Sequence, residues 1–193
     1  MDFAAVVLAG GAGKRLGGPA KPTLAVRGTP MLARVLAAVA AARPRIVVGP
    51  DALAPILPAG VLLTREEPPG GGPVAATAAG IGLLPGGIEY VALLAADLPF
   101  LTEGAVTALG TAASTMDGAV FVDGAGRRQL LCGVWRVEAL RVRFVALGAP
   151  AGLPVGRLVS GLRVAEVAWT DEGTPPWYDI DTEYDMRQAE GRT

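Results

Sequence analysis

The chain of 193 residues contains no histidine and a single cysteine, Cys132. Without histidine, Ser-His-Asp and Cys-His catalysis and most zinc sites are excluded. One cysteine cannot form a disulfide within the chain, and its apolar surroundings make Cys132 a small buried hydrophobe rather than a nucleophile. Charged residues are few, at 18%, the formal net charge is -1, and the arginines are scattered rather than clustered. This gives no electrostatic case for a nucleic acid or a membrane surface as partner. No apolar run is long enough to span a bilayer. The N-terminal run Phe3 to Gly11 precedes the charges of Lys14 and Arg15, whereas an export signal carries its charges first, so a cytoplasmic location is expected. Chemistry is thereby confined to carboxylates, lysine, arginine, backbone amides and a hard metal ion.

What is present is an apolar fraction of 51%, enough for the core of one compact α/β domain spanning residues 1–193. Strand-like and helix-like segments alternate. Phe3–Ala9, Arg45–Gly49, Val61–Thr64, Glu89–Ala95, Ala119–Val122, Gln129–Trp135 and Arg163–Ala168 read as strands. Met31–Ala42, Pro73–Leu84, Arg136–Leu147, a helix capped by Thr102 and running to about Ser114, and a last helix from Thr182 towards Ala189 read as helices. Ala149–Pro154 and Thr170–Pro176 read as loops. The alternation predicts a Rossmann-like three-layer fold, with a mostly parallel sheet covered by helices on both faces.

In open parallel sheets, ligands sit beyond the carboxyl ends of the strands. The first such end carries Leu8 to Leu24, LAGGAGKRLGGPAKPTL. Its glycines let backbone amides approach a polyphosphate, with Arg15 and Lys21 to offset the charge. It is not a P-loop, because Arg15 follows Gly13-Lys14, and it is not a dinucleotide fingerprint, because Leu16 stands where the last glycine belongs. The only two lysines, Lys14 and Lys21, both lie in this loop. A solvated glycine turn would explain an isolated Gly-Gly, but a loop this long directly after a buried strand points to phosphate binding.

The strand Glu89–Ala95 ends in Ala96-Asp97-Leu98-Pro99. An aspartate among apolar residues needs a partner or a cation, and at a strand's carboxyl end it suits Mg²⁺ beside a triphosphate. Taken alone, Asp97 serves equally well as the cap of a turn. In Trp177-Tyr178-Asp179-Ile180-Asp181-Thr182, read as extended, Asp179 and Asp181 share one face. One would complete the metal site and the other would cap the last helix. The Pro/Gly-rich stretch Arg65 to Pro73 excludes regular structure; it reads as a ligand loop leading into a helix N-terminus or as an exposed linker.

Together these residues resemble the molybdenum cofactor guanylyltransferase family (MobA-like NTP transferases), within the wider sugar-nucleotidyltransferase-like group. The pattern at 8–24 is specific for the wider group. EEPPGGGPVAATAAG, LLAADLPFL and PWYDIDTEYDM resemble this branch. The resemblance implies transfer of GMP from GTP to the phosphate of a molybdopterin-type substrate, with Mg²⁺ as cofactor. It also implies transient contact with molybdenum cofactor biosynthesis or acceptor proteins. On it, the backbone around Leu8, Ala9 and Gly10 holds base and ribose, and Gly11, Gly13, Arg15 and Lys21 contact phosphates. Arg15, Lys21 and Asp97 act in catalysis. Asp97 also contacts the nucleotide and binds the metal, with Asp181 as second metal ligand and Asp179 in reserve. The family's Gln-Pro-Leu becomes Gln129-Leu130-Leu131 here, a departure at a position the resemblance would assign to acceptor contact. The alternatives are a cytidylyltransferase, a sugar-phosphate nucleotidyltransferase, or a non-catalytic nucleotide-binding protein. Degenerate relatives of the last kind would lose the acidic metal ligands, and this chain keeps candidates at both positions.

Overall fold

The computed structural model describes residues 2–10, 18–170 and 172–191. In chain order the elements are β1 (Phe3–Leu8), a 3-10 turn over Gly18–Thr23, β2 (Ala25–Val26), β3 (Thr29–Pro30), α1 (Met31–Ala38), β4 (Arg45–Val48), a second 3-10 turn over Asp51–Ile56, β5 (Val61–Thr64), α2 (Gly72–Gly82), β6 (Tyr90–Ala95), α3 (Glu103–Ala113), β7 (Gly118–Val122), β8 (Arg128–Arg136), α4 (Val137–Leu147), α5 (Val155–Leu158), β9 (Val164–Ala168) and α6 (Glu183–Gly191). The main sheet has seven strands in the order β5-β4-β1-β6-β8-β7-β9. Only β8 opposes its neighbours, β6 and β7; the other pairings are parallel.

Alternation along the strands divides the core. Ala5, Val7, Val47, Leu94, Cys132 and Phe121 pack on one face with Leu32, Val35 and Leu36 of α1 and Val106 and Leu109 of α3. Val6, Ile46, Val48, Leu93 and Trp135 pack on the other with Val74 and Ile81 of α2, Leu140 of α4 and Leu158 of α5. This is the expected three-layer arrangement. The approach of α2 is close: a Cβ on Gly80 would stand 2.5 Å from Val6 Cγ1, so no side chain fits there. Cys132 is 1% exposed, and burial pushes its thiol up to about 12, which makes it inert as expected.

α1 ends at Ala38 rather than continuing to Ala42, because the chain must turn towards β4; Ala40 N donates to Ala37 O and Ala42 N to Val39 O. The β2–β3 hairpin, both 3-10 turns and α5 have no counterpart among the elements expected from sequence. Each is shorter than the periods on which sequence reading relies. Thr102 caps α3 as expected, its Oγ1 accepting from Ala105 N at 3.1 Å. The segment carrying Asp179 and Asp181 is not a strand and pairs with none. Its Tyr178 N instead donates to Pro175 O across a turn. Neither aspartate caps α6. Thr182 and Asp185 do so reciprocally: Asp185 Oδ2 accepts from Thr182 N at 2.8 Å, and Asp185 N donates to Thr182 Oγ1 at 3.2 Å.

At the far edge of the sheet, Asp117 latches β9 onto β7. Its carboxylate accepts from Arg163 N at 2.8 Å and pairs with the guanidinium at 3.2 Å. Hydrogen bonds from the Arg163 side chain and backbone hold the Asp117 carboxyl below its usual pKa. A depressed folded-state pKa contributes stability above the ordinary aspartate range, and that contribution is lost as pH falls through the folded value. Asp117→Asn is therefore expected to melt below the parent protein at pH 7, with the gap narrowing at a pH below the ordinary aspartate value of about 3.9. Thermal melts at both pH values check this.

Candidate active site

Strand register assembles the site. Leu8 lies opposite Val48 and Ala95, and Val48 lies opposite Thr64, so these four residues form one row across β5, β4, β1 and β6. The row continues one step beyond the strands: Ala9 N donates to Val48 O, Ala96 N to Leu8 O and Gly49 N to Thr64 O. Two residues past the ends of β5, β1 and β6 stand Glu66, Gly10 and Asp97, along the carboxyl edge where ligands bind in such sheets. Leu8 O and Ala9 N are thus occupied by the sheet. What this stretch leaves open to a ligand is the exposed Gly10. Gly11, Gly13, Lys14 and Arg15 lie outside the described residues.

Asp97 is held between Ala96 and Leu98, each 4% exposed. Its side chain faces Lys21, whose Nζ donates to Asp97 Oδ2 at 2.6 Å and to Asp181 Oδ1 at 2.6 Å. Three remote parts of the chain meet at this point, and the packing explains how. Lys21 lies within the first 3-10 turn, with Leu24 N donating to its carbonyl at 3.1 Å. The hairpin that follows contributes Val26 to a small core with Met31, Ile180 and Ala189. Ile180 is fully buried there, so its neighbour Asp181 is directed back onto Lys21. Phe100 meets Tyr178 edge-on at 5.8 Å, and Trp177 packs on Phe121 at 5.3 Å. Such pairs add about 0.5–1.5 kcal/mol each beyond their buried area, which fastens the segment on both sides of the site.

Burial works against the Lys21 charge, but hydrogen bonds and charge from Asp181 and Asp97 outweigh it and raise its pKa above the usual lysine value. Asp179 keeps solvent access while protein atoms crowd around it. That partial burial, and then the charges of Asp181 and Asp97, raise its pKa. Among the described residues no group of three or more metal-binding side chains stands assembled. Two carboxylates converging on one cation-sized point do match what magnesium takes from a protein, namely one or two carboxylates with phosphate oxygens for the rest. The donor set fits that ion.

Sequence reading missed Glu66. It is 8% exposed, its Oε1 accepts from Gly70 N at 3.0 Å, and its Oε2 has no partner among the described residues. Both oxygens lie 3.7 Å from where a Gly10 Cβ would be. A buried carboxylate oxygen without a donor is costly and marks a position awaiting one. In the sequence, Glu66 sits within a Pro/Gly-rich loop, and only its place two residues after a strand hinted at the row it joins. Gln129 is turned towards its own hairpin, its Nε2 donating to Arg127 O at 3.3 Å and Asp123 Oδ2 at 3.4 Å.

A family model described as a MobA-like NTP transferase domain matches residues 5–169. The molybdenum cofactor guanylyltransferase of Rhodobacter capsulatus is 32% identical over 197 residues, covering 100% of this chain and 97% of that protein. In fold, the chain is similar to the molybdopterin-guanine dinucleotide biosynthesis protein A of Archaeoglobus fulgidus, with a TM-score of 0.74 at 18% identity over 97% of each chain. It is similar as well to the 2-C-methyl-D-erythritol 4-phosphate cytidylyltransferase of Thermus thermophilus, with a TM-score of 0.73 at 22% identity over 98% of each chain.

Proposed function

The chain belongs to the MobA-like NTP transferase family, and on that premise we propose that it transfers GMP from GTP to the phosphate of a molybdopterin-type substrate, releasing pyrophosphate. The observation that carries this reading is the convergence of Asp97 and Asp181 on Lys21, on the carboxyl edge of the sheet that also carries Gly10 and Glu66. Asp97 and Asp181 would hold Mg²⁺. An ion bound there would supply positive charge to offset that of the reacting phosphates.

The reaction is an in-line displacement. An acceptor phosphate oxygen forms a bond to the α-phosphorus of GTP, and the bond from that phosphorus to the β-phosphate bridge oxygen breaks. A phosphate nucleophile is already deprotonated at neutral pH, so no general base is required and the absence of histidine costs nothing. The work left to the protein is alignment and charge neutralisation. Lys21 and Arg15 supply positive charge as pyrophosphate leaves.

Glu66 favours guanine over cytosine. Guanine presents an N1–H and an N2 amino group side by side as donors, and cytosine presents only its N4 amino group. A buried carboxylate with an unpartnered oxygen accepts from the former pair. Strands β5 and β6 are three spacings apart, about 14 Å, a separation that would accommodate a base at the Glu66 end of the row and polyphosphate at the Asp97 end. A charge-assisted hydrogen bond contributes about 1.5–3 kcal/mol. Glu66→Gln is therefore expected to lower kcat/KM for GTP by roughly 10–100-fold and to change the values for CTP, ATP and UTP much less. Pyrophosphate release across the four nucleotides tests both the enzyme class and this selection. Release without preference for GTP in the parent protein would refute the guanylyl assignment.

A further inference from the structure

A cation of the protein's own stands where the proposed metal would sit. Lys21 Nζ lies 2.6 Å from each of two carboxylates that come from remote parts of the chain, and its side chain is 14% exposed while that of Asp97 is 21% exposed. The ammonium therefore fills the gap between them rather than lying along its rim. An Mg²⁺ ion ligated by the same two oxygens, Asp97 Oδ2 and Asp181 Oδ1, would have to share that point with Lys21. Two like charges at such a distance in a partly buried site repel strongly. Lys21 and the metal thus exclude one another.

We infer that Lys21 is an exchangeable counter-ion: it holds Asp97 and Asp181 together in the free protein, and the nucleotide's phosphates draw it away to open the pair to the metal. This rests on the reading of the site given above. The pull is available locally, because Lys21 Nζ meets Asp97 on the same carboxyl edge of the sheet that carries Gly10. The second state replaces the two ammonium–carboxylate contacts with ammonium–phosphate contacts, and the freed carboxylates then take up the divalent ion. Magnesium binding and nucleotide binding are in this way coupled through one side chain, and the coupling is reciprocal. The free protein is kept from loading a divalent ion without its nucleotide. Asp181, at 56% side-chain exposure, is the carboxylate through which an entering ion first makes contact.

Mn²⁺, read by electron paramagnetic resonance in the absence of nucleotide, tests the exchange. The parent protein is expected to bind Mn²⁺ weakly and Lys21→Met at least about tenfold more tightly, with Asp97→Asn in the Lys21→Met background abolishing the gain. Equal Mn²⁺ affinity in the parent and Lys21→Met would overturn the inference. A second measurement needs no change at Lys21. The chain has only two lysines, so Lys14→Arg leaves a single ¹⁵Nζ signal. That signal should stay in place with Mg²⁺ alone and shift when a non-hydrolysable GTP analogue is added; an equal shift with Mg²⁺ alone contradicts the exchange. The exchange and the metal site can fail separately. If Lys21→Met gains no Mn²⁺ affinity while Asp97→Asn removes nucleotide-dependent Mn²⁺ binding, the exchange fails and the metal assignment stands. If Asp97→Asn retains that binding, the metal assignment fails and takes the exchange with it.

Discussion

Asp97→Ala is expected to lower pyrophosphate release from GTP by about 10³-fold or more, with a melting temperature close to that of the parent protein. The magnitude follows from the role proposed for it. A metal ion stabilises transition-state charge by several kcal/mol, and about 4 kcal/mol corresponds to roughly 10³ in rate. The fold should survive because Asp97 is not part of the core. The turn that carries it is held by Ala96 N donating to Leu8 O and by the buried side chains of Ala96, Leu98 and Leu101 on either side. None of these contacts involves the carboxylate. In the variant Lys21 keeps Asp181 as a partner, so no charge is left buried and alone. A near-parental rate at saturating magnesium would remove Asp97 from the metal site.

Lys21→Ala should lower the rate by about 10²-fold or more, on the scale of a deleted electrostatic stabiliser. Its two contacts make a second feature measurable. Lys21 and Asp97 touch directly, so their effects should not add: the double variant Lys21→Ala/Asp97→Ala is expected to be little worse than Asp97→Ala alone. Lys21→Ala also leaves Asp97 and Asp181 without their shared cation, so its dependence on magnesium concentration should change along with its rate. Steady-state kinetics over a range of magnesium concentrations resolves the two effects. An unchanged rate would exclude Lys21 from the chemistry, and strictly multiplicative losses would mean that the two residues act independently.

Most of the sheet is legible in the sequence because its strands are near-continuous apolar runs closed by glycine, proline or aspartate, the signature of burial on both faces. Val61–Thr64 has the same bounds in sequence and structure. The three-layer arrangement follows from alternation alone. Asp97 stands out because a carboxylate between apolar neighbours at a strand end must find a partner there. The Asp179–Asp181 segment reads as extended with both aspartates on one side. The structure has no ladder there, yet Ile180 turns inward and Asp181 turns to Lys21, so alternation about the apolar residue survives without the strand. Its neighbour Thr182, paired with Asp185, takes the capping role expected of an aspartate, since a hydroxyl and a carboxylate three residues apart satisfy the helix end reciprocally.

Glu66 illustrates what one sequence conceals. Its neighbours Glu67, Pro68 and Pro69 are all exposed, and nothing local distinguishes the one carboxylate that folds inward. Its burial depends on the pairing of β4 with β5 and on the turn in which Gly70 N donates to it. Those are tertiary facts. The meeting of Lys21 with Asp181 is of the same kind, since 160 positions separate them. It rests on the small core of Val26, Met31, Ile180 and Ala189, formed by a two-residue strand and a helix end too short to project from periodicity.

The most direct test is the fate of the phosphates. Pure protein is mixed with magnesium, a molybdopterin acceptor, and GTP carrying ³²P at either the α or the γ position, and the products are separated and weighed by mass spectrometry. Guanylyl transfer predicts α-label in a product heavier than the acceptor by one GMP unit less water, and γ-label in pyrophosphate alone. Label from the γ position in the acceptor product, or release of GDP and inorganic phosphate in place of pyrophosphate, would contradict it.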